Sequence, residues 1–120
     1  MKVLIFVHNT DSGIIPSIKS KVQRLSSADS HKCKLYQLIH NKLFVKRVWK
    51  NFLNNLSYHK VFFHRKEFKS AHPEYAYLEL PSILLKDNSE IKVLITAQEI
   101  NALDNVDDLI GLIGKRLSDL

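Results

Sequence analysis

Val3-Leu4-Ile5-Phe6-Val7, followed by His8-Asn9-Thr10-Asp11-Ser12-Gly13, is the stretch on which the fold turns. The unbroken apolar run between Lys2 and His8 suits a strand buried on both faces. The polar turn after it opens a helix. Ile15, Ile18, Val22 and Leu25 recur at helical spacing, Asp11 or Ser12 caps the first turn, and Pro16 is tolerated inside it. A strand that ends in such a turn is where α/β proteins commonly hold a ligand. The first free N–H groups of the helix point out of the turn and favour an anion or a thiolate.

Outward from this unit the elements alternate. Ser26 to Ser30 is a polar break, and Lys34 to Ile39 reads as a strand, since Leu35, Tyr36, Leu38 and Ile39 suit a pleated surface. Val45, Val48, Trp49, Phe52, Leu53 and Leu56 form one apolar helical stripe, with Lys46, Arg47 and Lys50 opposite it. Trp49 and Phe52 are therefore expected in the core. Val61-Phe62-Phe63 reads as a buried central strand, and Glu67 to Ala71 as a short helix ended by His72-Pro73. Leu80 to Leu85 and Ile91 to Ile95 are two apolar strands joined by the turn Lys86-Asp87-Asn88-Ser89, the pattern of a hairpin. Thr96-Ala97-Gln98-Glu99 is a capping box, and a last helix from about Val106 turns Leu109, Ile110, Ile113 and Leu117 inward. Alternating units of this kind predict an α/β fold, a central mixed sheet flanked by helices.

A chain of 120 residues with 45% hydrophobic and 25% charged residues suits a single domain with its own core. The lone Cys33 excludes an internal disulfide and favours a reducing, cytoplasmic setting. No signal peptide or membrane-spanning run is visible, so no membrane insertion is expected. The charge is uneven. Residues 1–72 hold fourteen Lys/Arg against three acids, and residues 73–120 hold four against nine. From Ser30 to Lys66 there is no acid at all. A solvated basic face accounts for this without a partner, and a field that steers an anionic partner is the alternative.

The half from Lys60 onward resembles the thioredoxin-like fold: a strand, a short helix, a proline introducing a hairpin, and a closing amphipathic helix. The resemblance implies that Pro81 is a cis-proline facing the His8 to Gly13 turn, and that the piece from about Ser30 to Leu56 is a strand-helix insertion. The opening residues and His64-Arg65-Lys66-Glu67-Phe68 also resemble a group of small bacterial thioredoxin-like proteins of uncharacterised activity. Relatives there can carry Cys-x-x-Cys in the inserted strand, whereas this chain reads Cys33-Lys34-Leu35-Tyr36. At the first helix, where redox thioredoxins carry the pair, it has Thr10-Asp11-Ser12-Gly13. Dithiol exchange at that position is therefore excluded.

His8, His40 and His64 each follow an apolar run, and strand ends in α/β sheets converge on one edge. Their spacing matches no zinc motif, so no metal and no cofactor is expected. Asp11 and Ser12 near His8 lack a nucleophile elbow and are explained as caps. Gly111-Leu112-Ile113-Gly114-Lys115 lies in a helical pattern and is too short between its glycines for a P-loop; the glycines suit close helix packing or fraying. Nucleic-acid binding has the electrostatics and the aromatics Tyr36, Phe44 and Tyr58 among the basic residues, but no helix-turn-helix, aromatic RNA-binding strand or zinc finger, so it is not favoured.

These readings point to a binding module. Its pocket is expected between His8, Asn9, Thr10, Asp11, Ser12 and Gly13 on one side and His64, Arg65, Leu80 and Pro81 on the other. An anionic small molecule or a protein would be the partner, held by helix N–H groups and Arg65, with His8 or His64 adjusting charge. A monothiol redox role for Cys33 is the alternative.

Overall fold

The computed structural model describes residues 2–10, 33–41 and 44–120. The first predicted helix, the turn residues Asp11, Ser12 and Gly13, and the polar break lie outside the described residues.

Strand β1 (Lys2–Val7) sits inside a four-stranded sheet. It pairs in parallel with β4 (His59–Phe63) and antiparallel with β5 (Ser82–Asp87), which pairs antiparallel with β6 (Glu90–Ile95). The strand order is β4-β1-β5-β6. Leu4, Ile5, Phe6 and Val7 are all buried, as an unbroken apolar run with helices on both faces requires. Each such side chain stabilises the fold by about 1.5–3 kcal/mol relative to exposure.

Alternation along β1 divides the core into two layers. Leu4 and Phe6 face a large cluster with Leu35, Leu38, Trp49, Ile100, Leu109 and Ile113. Ile5 and Val7 face a smaller one with Phe68, Leu80 and Leu84. The first layer is covered by α1 (Lys34–Ile39), α2 (Arg47–Asn55), α4 (Ala97–Asn101) and α5 (Val106–Ser118); the second by α3 (Arg65–Ala71) and the 3-10 turn Pro73–Tyr75. Between α1 and α2 lies a small hairpin, β2 (His40–Asn41) and β3 (Phe44–Val45). This is the expected α/β architecture with an added segment before β4, and its strand order is consistent with a thioredoxin-like fold. The Leu80–Pro81 peptide bond, just before β5, is cis.

Local chemistry fixes the element ends. The Thr96 Oγ1 accepts the Glu99 N–H at 3.1 Å, and Glu99 Oε1 accepts the Thr96 N–H at 3.0 Å. That reciprocal box starts α4. Arg116 on α5 reaches back to the Glu99 carboxylate and donates to the Leu94 carbonyl at 2.9 Å, tying three elements together. The guanidinium, with the Thr96 N–H, holds the Glu99 carboxyl down at about 2. Asn105 caps α5 by accepting the Asp108 N–H at 2.9 Å. The β5–β6 turn needs only Asn88 and Ser89, with Asn88 at a φ of 60°, a conformation asparagine tolerates better than most residues.

Three expectations are corrected. Lys34–Ile39 is a helix rather than a strand, because Leu35, Leu38 and Ile39 fall at i, i+3 and i+4 and are buried together. Val61-Phe62-Phe63 belongs to the sheet's edge strand, where pairing on one side only leaves Val61 and Phe62 exposed. Gly111 and Gly114 lie inside α5, and a Cβ on either would meet open space, so no close packing demands them.

Candidate functional site

The parallel pair brings two chain ends side by side. Val7 is the register partner of Phe63, so His8 and His64 emerge together at the carboxyl edge of β1 and β4. This is the edge where open α/β sheets hold ligands. The exit from β1 is pinned by backbone bonds: the His8 N–H donates to the Phe63 carbonyl at 2.9 Å, and the Arg65 N–H to the Thr10 carbonyl at 2.7 Å. A side-chain brace backs them, with Arg65 Nη1 donating to Asn9 Oδ1 at 2.7 Å.

On this frame Thr10 Oγ1 and His64 Nδ1 are hydrogen-bonded at 2.9 Å, and the His8 and His64 rings lie 6.1 Å apart. The third wall comes from α1. Tyr36 and His40 are one helical turn apart, and their rings stack at 3.7 Å with an interplanar angle of 14°. His40 Nδ1 lies 3.0 Å from the Tyr36 carbonyl, so this nitrogen carries the proton. Phe62 and Phe63 close the cleft, which has a volume of about 270 Å³. Phe62 stacks on Phe6 at 5.1 Å, covering one ring face, and its side chain is half exposed.

Desolvation within the cleft lowers the pKa of His8 to about 4, with the positive charge that His64 and His40 can carry acting in the same direction. His8 is thus neutral at physiological pH. Behind it Cys33, wholly buried, precedes the first residue of α1. Its Sγ accepts the Asn9 N–H at 3.2 Å and lies 3.9 Å from His8 Nδ1.

Of the residues singled out from the sequence, His8, Thr10 and His64 line the cleft, and Asn9 and Arg65 brace it from behind. Asp11, Ser12 and Gly13 lie outside the described residues. Leu80 and Pro81 are buried and do not line it. Leu80 packs into the second core layer with Val7 and Phe68. Ser82, the residue after Pro81, lines a separate hollow of about 220 Å³ beside Val93 and Thr96. Phe62 and Phe63 are pocket residues the sequence did not announce, Tyr36 stood out only as an aromatic among basic residues, and His40 only as a metal ligand. The usable signal was the i, i+4 spacing of Tyr36 and His40, visible once Lys34–Ile39 is read as a helix.

Among the described residues, no group of three or more His, Cys, Asp or Glu side chains is placed to hold a metal ion. Nor is any helix of the described residues long and apolar enough to cross a membrane. No protein-family model, curated protein or solved structure matches the chain. The fold and the cleft therefore carry the functional argument alone.

Proposed function

We propose that the protein is a thioredoxin-like recognition module that binds its ligand in the histidine cleft and performs no dithiol exchange. The observation that carries this reading is the convergence of His8, Thr10 and His64 with Tyr36 and His40 at the carboxyl edge of the parallel pair. The lone cysteine supports the second half: one thiol cannot form an intramolecular disulfide. A ligand entering the cleft meets imidazoles and a hydroxyl that both donate and accept hydrogen bonds, over aromatic walls. The partner is a small anionic molecule or a side chain of a protein that carries such a group.

Histidine ring signals in NMR test the reading. A library of small aromatic and anionic fragments should shift the His8, His40 and His64 resonances together, and Thr10→Val should weaken the effect. Fragments that leave all three rings unmoved refute it.

The monothiol alternative has one observation in its favour. Cys33 stands just before a helix, and its Sγ accepts the Asn9 N–H and lies beside His8, the kind of setting in which reactive thiols occur. Its complete burial weighs against it, because a mixed disulfide needs access to the sulfur.

A further inference from the structure

Among the described residues, those that line the cleft include no Asp, Glu, Lys or Arg. Its walls are instead flat rings. Phe62 leaves one face uncovered by Phe6, and Tyr36 and His40 form a stacked pair. Thr10, His8 and His64 supply hydrogen-bonding groups of the kind a heterocycle edge requires. At about 270 Å³ the space falls below the roughly 300–1,000 Å³ of a drug-sized site. It fits one ring system and leaves the rest of a ligand outside.

Outside, the chain is basic. The elements that carry the lining side chains after Thr10 (α1, β2, β4 and the His64 cap of α3) lie between Ser30 and His64, a stretch without an acid; the first acid after it, Glu67, accepts the His64 N–H at 2.9 Å. Lys46 follows Val45, the register partner of His40, and its N–H donates to the Ile39 carbonyl at 2.8 Å. Arg65 follows His64 directly. The hairpin register thus sets Lys46 one residue past the partner of His40, while the Arg65 guanidinium is engaged with Asn9.

We infer that the cleft takes the base of a nucleoside phosphate, stacked against Phe62 and the Tyr36–His40 pair, with its phosphate held by the basic surface around Lys46. This rests on the binding role proposed above and names its ligand class. The same chemistry is offered by a free nucleotide and by one unit of a single strand. Base–aromatic stacking accepts every base, so discrimination among bases is expected to be modest.

The test is equilibrium titration of the full chain with adenosine and uridine 5′-monophosphates, adenosine, inorganic phosphate and an oligothymidylate, followed by the histidine ring signals. The nucleotides should bind and shift the His8, His40 and His64 rings, and inorganic phosphate alone should not. Phe62→Ala, at a half-exposed position, should weaken nucleotides by about tenfold or more. Lys46→Gln should weaken the monophosphates and leave adenosine unchanged. An oligothymidylate that binds far more tightly than a mononucleotide, with a steep salt dependence, identifies the single strand as the source; equal affinity per unit identifies the free nucleotide. Absence of nucleotide binding at roughly millimolar concentration, or a Phe62→Ala protein that binds unchanged, overturns the inference. If phosphate-free fragments still shift the three rings, the cleft remains a binding site with another ligand. If nothing shifts them, both readings fall.

Discussion

The Sγ of Cys33 lies 3.9 Å from Nδ1 of His8, so the thiol packs against an imidazole that desolvation keeps neutral. The contact closes the back of the cleft. It also shields the sulfur, which has no exposed surface.

Cys33 is therefore expected to react slowly. At neutral pH a disulfide reagent should modify it about 100-fold more slowly in the native protein than in denaturant, since reaction must await local opening. Labelling as fast as in the unfolded chain would contradict the burial and revive the monothiol role. Cys33→Ala, which leaves the Asn9 N–H without its acceptor, should cost about 1–3 kcal/mol in denaturant unfolding.

Acid should destabilise the fold through His8. Its folded pKa of about 4 lies below the ordinary 6.5, so between these values the unfolded chain binds more protons and stability is lost as the pH drops. The contribution is complete above pH 6.5 and lost by about pH 4, a span of about 3 kcal/mol. His8→Leu should flatten the dependence of unfolding free energy on pH in that window by close to one proton. An unchanged slope would show that His8 is not the titrating group.

Trp49 and Val48 are neighbours on α2 with opposite expected sensitivities. Trp49 is 2% exposed and meets Phe6 edge-on at 5.7 Å, whereas Val48 is 43% exposed. Trp49→Phe, followed by urea unfolding, should cost about 1–3 kcal/mol, and Trp49→Ala about 3–5 kcal/mol. Val48→Ala should stay within about 0.5 kcal/mol. Equal costs would place α2 in a different rotation about its axis.

The β5–β6 turn depends on Asn88. Its φ of 60° suits Asn or Gly, so Asn88→Gly should leave the melting temperature nearly unchanged. Asn88→Val should cost about 1–2 kcal/mol. A Val variant as stable as the parent would mean that the turn can reshape without strain.

Much of the fold was legible because the local signals agreed with the tertiary outcome. The Val3–Val7 run, the two strands around Asn88-Ser89, the Thr96–Glu99 box and the stripe ending at Leu117 each say one thing at every level. Two segments misled for identifiable reasons. Leu35, Tyr36, Leu38 and Ile39 satisfy both a pleated and a helical reading over six residues, and only their joint burial under Leu4 and Phe6 decides it. Val61-Phe62-Phe63 has the composition of a central strand, yet lies at an edge, where Phe62 serves the cleft instead of a second neighbour. The cleft itself was half readable. Strand ends foretold His8, His40 and His64 on one edge, but His40 reaches it from the end of a helix, stacked on Tyr36 one turn earlier. Leu80, expected in the same pocket, is drawn into the opposite core layer with Val7 and Phe68, and Pro81 is buried beside it in the chain.

The register of β1 has a consequence for how the chain is made. Ile5 pairs with Val61 on one side and Leu84 on the other, while β5 and β6 close over a turn between Asp87 and Glu90. The hairpin forms at small loop-closure cost, but β1 waits for partners encoded far downstream. A fragment ending at Leu80 should bind a hydrophobic dye strongly and the full chain weakly; equal binding would show that β1 is already covered. During synthesis this central, buried strand emerges before its partners, and the growing chain must shelter it until they arrive.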